Sequence, residues 1–187
     1  MRKIINYDDD RFRSWTIILY SDSKSYDFDS VFQIIKSYKF YAYIKHQPDN
    51  DIKKVHYHVN LFLDNPTTRH ALSKKLGVPE NFIESISNVR VMNRYLTHID
   101  FPERIQYSIN DVFVSSSYFK KFKKCYDDLE TESEIIDKIF SKIDDLISQF
   151  SYFDCTKILL KWCSDNCYES IFKKYYVLFL DYLKGKL

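Results

Sequence analysis

Apolar and polar residues alternate through positions 55–62: Val55, Tyr57, Val59 and Leu61 fall on one side of an extended chain, and His56, His58 and Asn60 on the other. This period of two predicts a strand with one face in a core and the other open. Residues 13–20 and 40–46, rich in β-branched and aromatic side chains, predict two more strands, with a helix over 29–39 between them. The polar segment 47–53, which contains Pro48, predicts a hairpin connection. Asn65-Pro66-Thr67-Thr68 predicts a helix start, Gly77-Val78-Pro79 its end, and 79–86 a second helical piece, both helices covering the apolar face. Positions 89–98 fit strand and helix equally. From about Ser117 the spacing changes to threes and fours. Ile135, Ile139, Ile143, Leu146 and Phe150 form one stripe, and 152–163 and 168–183 carry similar ones.

Charge sharpens the division that this change of period suggests. The chain carries a net +2, but residues 1–125 hold 20 Lys+Arg against 14 Asp+Glu, net +6, and residues 126–187 hold 8 against 12, net −4. Only the first part suits a phosphate partner. Lys120, Lys121, Lys123 and Lys124 cluster at the junction, either against a DNA backbone or on a solvated helix face. The two glycines, Gly77 and Gly185, exclude a glycine-rich phosphate loop and a dinucleotide fingerprint. Cys125, Cys155, Cys163 and Cys167 form no Cys-x-x-Cys pair and are expected as partly buried thiols without a disulfide. No apolar run is long enough for a membrane span and the first ten residues lack a signal-peptide pattern, so a cytoplasmic protein with no membrane partner is expected.

The candidate chemistry lies on the polar side of the strands. His56 and His58 can grip one ion, and His46 and Asp49, at the end of the preceding strand, add another imidazole and a carboxylate. A mixed imidazole and carboxylate set favours Mn²⁺ or Mg²⁺ over the thiolate sets of structural zinc, although imidazoles also bind zinc, cobalt and nickel. Downstream, Tyr95 in Asn93-Arg94-Tyr95-Leu96-Thr97-His98 follows a short apolar piece, and metal ligands with a later tyrosine suggest phosphodiester chemistry.

His46-x-x-Asp49, His56-Tyr57-His58 and Arg94-Tyr95-Leu96-Thr97-His98, in that order, resemble the replication initiators (Rep) of rolling-circle plasmids, of the histidine-hydrophobic-histidine (HUH) endonuclease superfamily. The resemblance covers about residues 10–115. It implies an α+β fold, in which an antiparallel sheet with flanking helices forms an origin-binding endonuclease domain over 1–125. A small all-α oligomerisation domain follows over 126–187, placed as in the hexamer-forming members. It also implies His46, Asp49, His56 and His58 as ligands of a divalent ion and Tyr95 as the nucleophile. The reaction would be nicking and strand transfer at a replication origin through a 5′-phosphotyrosine. Implied partners are origin duplex and single-stranded nick-site DNA, further copies of the chain, and a host polymerase and helicase.

Tyr107 is a rival nucleophile, less favoured because Arg104-Ile105-Gln106-Tyr107-Ser108 lacks the family string. Other readings of the same residues are a single-tyrosine transposase, a phage initiator or a relaxase. A phosphodiesterase that uses water would make Tyr95 dispensable. A non-catalytic origin-binding repressor is the alternative outside enzymes.

Overall fold

The computed structural model describes residues 10–48, 54–127, 132–166 and 168–186. Five strands form one sheet in the order β4-β1-β3-β2-β5, with β1 Phe12–Leu19, β2 Phe40–His46, β3 His56–Thr67, β4 Ile83–Ser85 and β5 Phe113–Val114. Every pairing is antiparallel. The chain is α+β, as expected from the sequence, with helices flanking the sheet and an all-helical region after it.

The alternation that predicts β3 determines its two faces. Val59 and Leu61 are fully buried and pack with Trp15, Ile17 and Leu19 of β1. Helix α1 (Phe28–Lys36) adds Val31, Phe32 and Ile35 to that core, and α2 (Arg69–Leu76) adds Leu72 and Leu76. Thr16, Ile18, His58 and Asn60 alternate with these core residues and point to the other face, where β1 and β3 pair as Thr16↔Asn60 and Ile18↔His58. Across β2 the register sets Ile44 against His58 and His46 against His56.

Two sequence expectations change, and one segment left open takes a definite form. Strand β3 runs on to Thr67, and α2 starts after Thr68, whose hydroxyl accepts from the Ala71 N–H at 3.1 Å. A threonine cap fixes the first turn more locally than the Asn65-Pro66 pair, so the helix starts later than proposed. The helix expected over 79–86 is a single 3₁₀ turn, Glu80–Phe82, followed by β4, because Ile83 goes into the sheet core beside Ile17. Positions 89–98, open between helix and strand, contain the short helix α3 (Val89–Tyr95). Its start is capped by the Asn88 side chain, which accepts from the N–H groups of Arg90 and Val91.

Backbone contacts divide the chain into Met1–Phe122 and Lys123–Leu187. Helix α4 (Phe119–Asp127) crosses that division. The second unit continues with α5 (Glu132–Ile147), α6 (Tyr152–Asp165), α7 (Glu169–Lys174) and α8 (Tyr176–Lys186). The expected stripe Ile135, Ile139, Ile143 and Leu146 is buried in its core with Leu159, Phe172, Phe179 and Leu183. Phe150 is 41% exposed instead, because α5 ends at Ile147 and the stripe loses its helix there. Cys155 and Cys163 are free and buried, and burial pushes the Cys163 thiol up to about 12. Cys125 is disulfide-bonded, which corrects the expectation of a thiol there. Spacing along the chain carried no sign of it. Cys167 lies outside the described residues.

Candidate metal and tyrosine site

His46 ends β2 and is 1% exposed, His58 is 6% exposed in mid-β3, and His56 opens β3 in a half-buried position. Each offers one ring nitrogen, and these nitrogens all lie within 4.8 Å of one another. Direct pairing of His46 with His56 across the hairpin, with His58 two residues on, is the register that brings them together.

The hydrogen bonds prepare two of these rings as ligands. His46 Nε2 lies 2.8 Å from the Leu96 carbonyl, and His56 Nδ1 lies 2.8 Å from the Lys54 carbonyl. A carbonyl only accepts, so those nitrogens carry the protons, and the lone pairs sit on His46 Nδ1 and His56 Nε2. Burial holds His58 well below the usual imidazole value, helped by His46, His56, His98 and Arg104. It is therefore neutral and a ligand in waiting. Its Nδ1 is buried without a hydrogen-bond partner, and a metal is one occupant that would satisfy such a group. Asp49, the fourth expected ligand, lies outside the described residues. Three imidazoles alone suit zinc, copper, iron or nickel, so preference for Mn²⁺ or Mg²⁺ depends on that carboxylate.

A cavity of about 270 Å³ opens beside the cluster, lined by the three histidines with Tyr95, His98 and Arg104 among others. No carboxylate is among the described residues that line it, and Arg104 supplies a fixed cation. The lining therefore favours an anionic occupant.

Tyr95 is the last residue of α3, and its ring stands 5.3 Å from the His58 ring and 5.0 Å from that of His98. Arg104 Nη1 donates to the Tyr95 hydroxyl, and the guanidinium lies 5.2 Å from the centre of the ring. Tyr107, the rival, does not line the cavity. It lies flat on His46 at 4.7 Å with 14° between the planes, and its hydroxyl accepts from the Gln47 N–H at 2.6 Å. In this position it supports the His46 ring.

Two functional candidates escaped the sequence reading. His98 has a left-handed backbone, φ 57°, and its Nδ1 donates to the Ile105 carbonyl at 2.9 Å, leaving its ring 4.3 Å from that of His46. Its place in the Tyr-Leu-Thr-His string was the one signal available. Arg104 lies in an irregular segment nine residues beyond Tyr95, and no pattern pointed to it.

Residues 7–120 match the family model described as plasmid replication protein, origin binding domain. The chain belongs to that family. No curated protein matches it. The match spans all five strands, α3, the histidine cluster, Tyr95 and Arg104, and leaves most of the helical second unit outside. This is accordingly a plasmid replication protein, and its origin-binding domain has DNA as partner. No helix among the described residues is long and apolar enough to cross a membrane.

Proposed function

We propose that this origin-binding domain is also a nickase: it cuts one strand at the replication origin, keeps the 5′ end on Tyr95, and so starts rolling-circle replication. The observation that carries the reading is the single cavity faced by three convergent imidazoles, the Tyr95 phenol and the Arg104 guanidinium. His46, His56 and His58, with Asp49 as a further ligand, would hold a divalent ion, whose positive charge would polarise the scissile phosphate and offset the charge of its transition state.

The remaining steps belong to the chain's own residues. Tyr95 Oη attacks the phosphorus, the P–O3′ bond breaks, and in net the phenol's proton passes to the departing O3′, so the products are a 5′-phosphotyrosyl link and a free 3′-OH. A phenol has a pKa near 10 and needs help as a nucleophile at neutral pH. Arg104 donates to the phenol oxygen, a contact that strengthens as negative charge develops there. His98 and Phe101 pack edge-on against the ring and limit its rotation. The link conserves the bond energy needed for later strand transfer, and the 3′-OH is a primer for a host polymerase.

The helical unit supports a second element of the proposal, assembly into a homo-oligomer with the hexamer as the implied size. Phe153 is 71% exposed, Val177 70%, Leu178 50% and Leu160 47%, a density of exposed apolar side chains that a partner surface would cover. Several copies would bind repeated origin DNA more tightly through multivalency.

The test is covalent capture. Incubated with Mn²⁺ and the single strands of its plasmid's origin, the full chain should yield a protein–DNA adduct that survives denaturing electrophoresis. Tyr95→Phe should form none while binding the duplex origin, and Tyr107→Phe should still form it. Adduct from Tyr95→Phe, or none from the parent on either strand, would refute the nickase.

A further inference from the structure

A second cavity of about 270 Å³ adjoins the first and is lined by Thr16, Asn81, Phe82, Glu84 and Met92, with Ile18, His58 and Tyr95 shared between the two. Thr16 and Glu84 of this lining belong to a polar row across the sheet. Asn60 of β3, Thr16 of β1 and Glu84 of β4 are direct cross-strand partners, one row along from the His58–Ile18 pair. The Thr16 residue is 7% exposed, and its hydroxyl is buried with no hydrogen-bond partner. A hydroxyl in that state lacks the partner that nearly all buried polar groups have, and its residue lines this cavity.

The lining excludes a phosphate from this cavity. Glu84 is acceptor-only when ionised and repels an anion, so its complement is a group rich in N–H donors. We infer that this cavity holds one unpaired nucleobase of the single strand, adjoining the scissile phosphate, and that it selects guanine. Among DNA bases only guanine has two adjacent donors, N1–H and N2–H, on its pairing edge, and a carboxylate can accept both together. The Thr16 hydroxyl and the Asn81 amide supply donors for guanine O6. Phe82 and Tyr95 offer ring surface for stacking, as single-strand sites commonly do. The nickase reading enters only in placing the phosphate in the first cavity. Base selection there would give the origin-binding domain sequence discrimination at the cut itself, separate from contacts to the duplex.

The experiment presents the full-length protein in Mn²⁺ with a random-sequence single-stranded DNA library and sequences two fractions, the DNA retained at equilibrium and the DNA linked covalently. The retained fraction judges the pocket, and the linked fraction judges the nickase. The parent should enrich one guanine position about tenfold or more. Glu84→Gln, at an exposed position, should flatten that position and leave the rest of the motif. Thr16→Val, which keeps the shape and removes the hydroxyl, should weaken the same position. A retained motif without a guanine position, or one in which that position survives both substitutions, overturns the inference. If no linked fraction forms with the parent, the nickase reading fails while the retained motif still decides the pocket.

Discussion

Asn93 is fully buried and joins the helix that carries Tyr95 to the sheet that carries the histidines. Its Nδ2 donates to the Tyr118 hydroxyl at 2.8 Å, and its Oδ1 accepts from Asn60 Nδ2 at 3.2 Å. Tyr118→Phe should leave the ring where it is, 4.5 Å from that of Phe62, and removes the hydroxyl that accepts from Asn93. Stranding a buried amide donor costs about 1–3 kcal/mol, and we expect about 2. Asn93→Leu keeps the volume and should cost about 2–3 kcal/mol, because Asn60 also loses an acceptor. The double variant should cost about 1–2 kcal/mol less than the sum, since the second change removes the group that the first one strands. Urea unfolding measures this in a Trp162→Phe background, where the buried Trp15 alone reports the sheet. Adduct formation should fall about 10- to 100-fold at full folding, because Tyr95 sits two residues beyond Asn93 and its placement loosens. Single costs that add within about 0.3 kcal/mol, or an unchanged nicking rate, would refute the coupling.

Mn²⁺ at about 100 times its dissociation constant should stabilise the folded parent by about 2.7 kcal/mol, read as a rise in melting temperature that EDTA reverses and His58→Ala abolishes; no shift in the parent would remove the metal from the reading. Asp100, 42% exposed, accepts two hydrogen bonds from Arg94, which hold its carboxyl below the ordinary range. Its contribution is therefore complete above about pH 4 and is lost as pH falls through the lower folded value. Asp100→Asn should cost about 1–2 kcal/mol at pH 7, less than a fully buried pair, and the two unfolding curves should converge in strong acid; a constant gap would exclude the ion pair. A chain ending at Phe122 should sediment as a monomer while the full chain assembles, and a monomeric full chain would end the oligomer proposal.

The sheet was legible because its signal is local. Val55 to Leu61 needs only the period of two to sort its faces, and Phe40–His46 is the strand expected to the residue. Strand β5 was not legible: it is two residues long and exists because Phe113 stacks on Tyr43 across 4.9 Å, a contact between distant positions. The histidines could be grouped because one hairpin carries them. Arg104 and His98 could not, since their places come from an irregular segment whose path is set by contacts such as the Tyr107 N–H to the Thr97 carbonyl. The 79–86 segment misled because Pro79 marks a helix start as readily as the turn it makes here.

The peptide between Tyr95 and Thr97 works as a shared bearing. Leu96 is fully buried, follows the candidate nucleophile directly, and offers the carbonyl that orients His46. If the helix end moved to carry a linked strand elsewhere, that carbonyl would move with it and His46 would lose its aim. The loaded tyrosine would therefore swing only through its own side-chain torsions, within the reach of one phenol. Strand handover would then be confined to a fixed point on the protein: the acceptor 3′-OH must travel to the link, and the timing of each round would be governed by when the DNA arrives there.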